Sequence, residues 1–187
     1  MRYIASFIFL VIFIIGCSSK QYYMISTPHT IPSTNHVGQK TIGIESIELP
    51  AYLSMDKVAV QRDDNRIVFL DDAHWAVNMG DDLTNALIFD LQKSLKGSKI
   101  FHYPWESRAK IDMLVVIKIK RFIAYKGYVY LDAVVRINHD DKIISLKEPI
   151  NMHDSSKIVE GMKKAFFAFE RAVVDALDDI DISKQQR

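Results

Sequence analysis

The chain has 187 residues, 49% of them apolar, and its 24 Lys and Arg balance 23 Asp and Glu to a formal charge of +1. That balance leaves no broad basic footprint for DNA or RNA, so a nucleic-acid partner is not expected. A single cysteine rules out an internal disulfide, and the length suits one domain with a sizeable core.

In chain order, Arg2 supplies a positive start and Ile4 to Ile15 an apolar run, well short of the ~20 residues that cross a bilayer as a helix. This is the layout of a secretory signal. Its end, Ile14-Ile15-Gly16-Cys17, resembles the bacterial lipobox, in which the cysteine sulfur receives a diacylglyceryl group and cleavage leaves that cysteine as the first residue. Residues 1–16 are thus predicted to be a signal peptide, Cys17 the lipidation site, and 17–21 a lipidated tether; no cofactor beyond this covalent lipid is expected. The bland alternative is an inert cysteine, but position, flanks and uniqueness all favour lipidation. Two or three acyl chains, each methylene contributing about 0.8 kcal/mol, hold a protein on a membrane for long times. Ser18 and Ser19 after the cysteine, in place of Asp, resemble the pattern sorted to the outer membrane of Gram-negative bacteria.

The globular part is expected over 22–182, with a polar tail at 183–187. Tyr22 to Ile25 reads as a short strand, and the Ser, Thr, Pro and His content of 26–40 as a flexible loop. Alternation from Thr41 to Leu49 predicts a strand that stops at Pro50. Lys57–Arg62 and Arg66–Leu70 flank Asp63-Asp64-Asn65 as a hairpin would. Asp71-Asp72 is predicted to cap a helix in which Met79, Leu83, Leu87, Leu91 and Leu95 recur every four residues until Gly97.

Further along, Lys99–Tyr103 and Ile111–Phe122 read as strands, the second buried early and half exposed later, where Lys118 and Lys120 replace apolar residues. Strict alternation makes Tyr128 to Asn138 a strand, followed by a turn at His139-Asp140-Asp141 and a paired strand broken near Pro149. Asp154, Ser155 and Ser156 can cap a final helix whose stripe runs from Ile158 through Phe166, Phe169 and Val173 to Ile180. This order predicts an α/β fold: a single domain with a mixed β-sheet and two main helices packed on it.

Catalytic signatures are missing. Neither a phosphate-cradling G-x-x-x-x-G-K-[ST] loop nor a G-x-S-x-G elbow occurs. The six histidines, His29 and His36 in the loop included, never adopt the paired spacing a zinc site needs, so no catalytic or metal residue is expected. Asp178, Asp179 and Asp181 read as a polar helix end. The one basic cluster, Lys118, Lys120 and Arg121 with Phe122 and Tyr125 beside it, reads as headgroup or acidic-partner contact or as a solvated strand edge. Trp75 and Trp105 read as interface anchors or as packing under loops.

Several stretches carry a family resemblance: "YYMIS" after the lipidated cysteine, "IGIESIELPAYLSMDKVAVQR", a Trp opening the first helix in "HWAVNMGDDLTNAL", and "YVYLDAVVRI" before the last helix. Together they resemble the ABC-type transport auxiliary lipoprotein family, the PqiC-like proteins. The most specific part is Leu49-Pro50-Ala51-Tyr52-Leu53 followed by Val58 to Arg62. Val77 and Met79 depart from the Glu and Leu usual after the Trp. The resemblance implies an anticodon-binding-domain-like α/β layer. It also implies a non-catalytic, membrane-anchored lipoprotein facing the periplasm from the inner leaflet of the outer membrane. Its partners would be an MCE-domain protein and an ABC permease and ATPase, its cargo phospholipid or another hydrophobic molecule, and a homo-oligomer is plausible. Under this reading Leu49, Pro50, Tyr52, Leu53 and Trp75 lie on or beside a partner-facing surface. Two other classes stay open: an assembly lipoprotein docking on a β-barrel, and a periplasmic enzyme with a concave site of perturbed acids or histidines.

Overall fold

The computed structural model describes residues 19–26, 39–105 and 110–185. The signal segment 1–16, Cys17, and the part of the predicted loop that carries His29 and His36 lie outside the described residues.

Eight strands form one sheet: β1 (Gln21–Tyr23), β2 (Thr41–Ile44), β3 (Lys57–Gln61), β4 (Ile67–Trp75), β5 (Lys99–His102), β6 (Met113–Tyr125), β7 (Tyr128–Ile137) and β8 (Asp140–Pro149). Among the described residues, two α-helices, α1 (Met79–Ser94) and α2 (Ser155–Gln185), and a 3-10 turn at Ala51–Ser54 accompany the sheet. The expected mixed sheet with two helices in one domain is what the chain forms.

β6 is the spine of the sheet. Along one edge it pairs antiparallel with β7, which pairs with β8. Its other edge is shared. β2 runs parallel beside Met113 to Val115 with β5 outside it, whereas β3 meets β6 at Ala124 and carries β4 and β1 beyond. Between these branches a bridge joins Glu48 to Lys118. The predicted strand to Leu49 therefore breaks after Ile44. Glu45 and Glu48 still donate to Val115 and Ile117, but the Ile47 N–H turns to Thr84 Oγ1 on α1, 3.0 Å away.

Both helices pack on one face. Val129, Leu131, Ala133, Val135 and Ile137 of β7 point into it and are at most 1% exposed, opposite Phe166, Phe169 and Val173 of α2. Burying each large apolar side chain contributes roughly 1.5–3 kcal/mol. At Gly161 of α2 an added Cβ would fall 2.0 Å from Ile150 Cγ2, so this helix approaches the segment after β8 more closely than any side chain permits.

Four expectations are corrected. Asp71 and Asp72 do not cap α1: β4 runs on to Trp75 because β3 and β1 pair with its last residues. Asp71 instead pairs with Lys57 Nζ at 2.7 Å, Asp72 accepts a hydrogen bond from Ser155 Oγ at the start of α2, and Asn78 caps α1 by accepting the Asp81 N–H. Trp75 accordingly ends a strand and does not open a helix. The later part of β6 is half exposed at Lys118 and Lys120, as expected, but the alternation does not carry on to Phe122. A bulge between Ile119 and Arg121 leaves Lys120 unpaired and turns Phe122 and Ala124 inward, each 0% exposed. Finally, Asp181 is no solvated helix end: it is 2% exposed and lies 3.1 Å from Lys40 Nζ, and α2 continues to Gln185, into the predicted tail.

Candidate docking surface

The sequence-predicted segment lies along the shared edge of β6, beside the start of α1, where Leu49 Cδ1 stands 3.8 Å from the position a Cβ on Gly80 would take. Leu49 and Pro50 stand over the gap between β2 and β3, half-buried, and the Ala51–Ser54 turn folds Tyr52 back across it. The Tyr52 hydroxyl accepts the Phe122 N–H at 2.9 Å, so it satisfies a backbone donor that the bulge and the split edge leave without a strand partner. Burial pushes the Tyr52 phenol above its ordinary pKa, keeping it neutral. Leu53, 1% exposed, pins the turn into the core.

Beside this turn is an open cleft of about 280 Å³ lined by Glu48, Leu49, Pro50, Lys118, Ile119 and Lys120. The Lys118 ammonium, 2.7 Å from Glu48, holds that carboxyl below its usual pKa by hydrogen bond and charge. Across β6, β7 and β8 the register then sets a ladder of tyrosines and cations. Tyr130 lies opposite Ile123 and Lys147, and Tyr128 opposite Tyr125. Arg121 sits 4.1 Å from the Tyr130 ring centre and 2.8 Å from Asp132, and Lys147 is 3.7 Å from the Tyr128 ring centre. Each exposed cation–ring contact contributes about 0.5–1 kcal/mol. Such a surface presents flat, amphipathic rings and fixed positive charge, which suits contact with another macromolecule.

Trp75 does not join Leu49 there. It is 6% exposed, its backbone N–H donates to the Asp56 carbonyl at 2.7 Å, and it backs a second cleft of about 230 Å³ with Met55, Val77 and Asn78 at the mouth. Leu53 and Trp75 therefore shape this region from beneath. Phe122 of the basic cluster is likewise buried, whereas Lys118, Lys120 and Arg121 line the open face with Tyr125. Trp105 packs over Gly43, where an added Cβ would come within 3.0 Å of its ring. The Tyr–cation ladder escaped the sequence reading because the pairing of Lys147 with Tyr130 depends on where the β7–β8 turn falls. The alternation of Tyr128, Tyr130 and Asp132 was its only local trace.

Among the described residues, no group of three or more His, Cys, Asp or Glu is placed to hold a metal ion, and no helix is long and apolar enough to cross a membrane. The most strongly perturbed acid among the described residues, Glu170 of α2, is 0% exposed and pushed up to about 9 by burial and by the charge of Asp90 on α1. It sits in the helix layer, away from either cleft.

Residues 23–174 match the family described as the ABC-type transport auxiliary lipoprotein component. The intermembrane transport lipoprotein PqiC of Escherichia coli K12 is 28% identical over 142 residues, 73% of this chain and 74% of that one, and the Shigella flexneri PqiC is equally similar. Among solved structures, protein XCC0632 from Xanthomonas campestris aligns at a TM-score of 0.74 with 14% identity, covering 89% of this chain and 100% of the other. The hypothetical protein CT253 from Chlamydia trachomatis aligns at 0.51 with 7% identity, over 78% of this chain and 99% of its own. These two likenesses speak to the fold alone.

Proposed function

The chain belongs to the family of ABC-type transport auxiliary lipoprotein components, and from that membership we propose that it is a non-catalytic docking subunit of a multi-component envelope transport system. The family match over residues 23–174 is the observation that carries this reading. In it, Cys17 bears the lipid and holds the domain on the periplasmic side of the outer membrane. The partners are an MCE-domain protein and an inner-membrane ABC permease and ATPase, and the cargo is phospholipid or another hydrophobic molecule. Leu49, Pro50 and Tyr52, with Leu53 and Trp75 supporting them from below, form the partner-facing region together with the Lys118–Arg121 strip. Two features support docking over chemistry. Both clefts are open and lined without a catalytic pair, and the strongest acid perturbation lies in the core.

The test is a cross-linked pull-down of the tagged protein from whole envelopes, with Cys17→Ala in parallel. Recovery of an MCE-domain protein and ABC subunits, reduced in the variant, is expected. Recovery of a β-barrel alone would replace this reading with an assembly role.

A further inference from the structure

Beyond the covalent anchor, and resting on the proposed lipidation of Cys17, we propose that the free edge of β1 is a second, non-covalent membrane contact in which Tyr22 and Met24 seat among phospholipid headgroups. Only Ser18, Ser19 and Lys20 separate Cys17 from β1, and four extended steps of chain span at most about 14 Å. A lipid on Cys17 therefore keeps Gln21 at the bilayer surface.

β1 cannot drift away from the domain to lengthen that reach. It pairs with β4 from Gln21↔Ala73 to Tyr23↔Trp75. Its exit is pinned where Ala76 donates to the Tyr23 carbonyl at 2.8 Å and the Ile25 N–H donates to Asp82 Oδ2 at 2.7 Å. Its other edge pairs with none of the described strands.

Side chains alternate along the strand. Tyr23 and Ile25 turn inward, Ile25 being 2% exposed, while Tyr22 and Met24 are 65% and 42% exposed. A tyrosine and an unbranched apolar side chain, both solvent-facing beside a short lipid tether, have the composition that favours the membrane–water interface. Lys20, also exposed, adds a cation next to anionic headgroups.

The test uses the lipidated protein in vesicles of phosphatidylethanolamine and phosphatidylglycerol, with lipidation read from the mass of the Cys17 peptide. Because the lipid occupies the only native thiol, a cysteine introduced by Met24→Cys takes a fluorophore alone. Ile143→Cys on β8 serves as control, since Ile143 is 80% exposed and five strand steps away in the sheet, roughly 24 Å at ~4.8 Å per step. Quenching by nitroxide-headgroup lipid is expected to be roughly threefold stronger at position 24 than at 143, and to persist after a Gly/Ser insertion lengthens the tether. Equal quenching at both positions, or its loss on insertion, would overturn the contact while leaving the anchor intact. A Cys17 peptide without lipid would overturn both.

Discussion

The two faces of the β6–β7 hairpin share one backbone and do opposite work. Inward, Phe122, Leu131, Ala133 and Val135 meet the aromatic stripe of α2 with no more than 1% exposure. Outward, Tyr130, Asp132, Arg121 and Lys118 sit half in water, the Arg121 charge held by Asp132 on the next strand and the Lys118 charge by Glu48 at the bridge beside β6. The inner face resists change because close-packed side chains leave no slack. The outer face tolerates change because its ion pairs exchange water for partners at little net gain. On the proposed docking role, stability and recognition are separated across a single sheet thickness, and substitutions on the two sides should fail in different assays.

The largest expected effect is on the inner face: Phe169→Ala leaves a cavity where the side chain is 0% exposed and should cost about 3–5 kcal/mol, read by denaturant unfolding. A full loss of inner-face character would follow if the variant unfolded no earlier than the parent. Next comes Glu170, an ionisable group buried in that layer. Its folded pKa, about 9, lies far above the ordinary carboxyl value, so the folded state holds a proton that the unfolded state releases. Stability from this group is present at low pH and lost as pH rises from about 4.5 toward 9. Glu170→Gln should flatten a slope of roughly 2–4 kcal/mol between pH 5 and 8. Unchanged pH dependence in the variant would place the charge elsewhere.

Where the faces meet, Tyr52→Phe removes the acceptor of the Phe122 N–H and should cost about 1–3 kcal/mol. An unaltered melting temperature would mean that the split edge tolerates a bare donor. The smallest stability effect belongs to the outer face. Lys147→Ala, which removes a contact 3.7 Å from the Tyr128 ring centre, should shift unfolding by no more than about 1 kcal/mol while lowering partner recovery in the pull-down. A loss of stability comparable to Phe169→Ala would erase the distinction between the faces.

Much of the inner face was legible in sequence, because alternation in β7 and the fourfold leucine spacing of α1 are local signals that one covered side imposes. Glu170 was legible too in principle: it falls four residues after Phe166 and three before Val173, on the buried stripe. The misread elements depend on distant partners. Asp71-Asp72 have good capping chemistry, but pairing with Lys57 and with Gln21–Tyr23 decides that they stay extended. The Lys120 bulge depends likewise on how β7 registers against β6. For the docking region, the Leu49–Leu53 segment announced itself through its motif, whereas the separation of Trp75 from it, and the tyrosine–cation ladder, exist only once three strands are aligned.

The branched edge of β6 has a kinetic consequence. β6, β7 and β8 are joined by short reversals, Lys126 and Gly127 both at positive φ in the first, so their pairing closes only small loops. β2 and β1, by contrast, must find Met113 and Ala73 across long stretches of chain, a search that slows folding. The meander should therefore be assembled first and β1 last, which pulse-labelled amide exchange would show as protection in β7 before β1. Under the proposed lipidation of Cys17, the segment fixed at the membrane earliest would then be the one that enters the native structure latest.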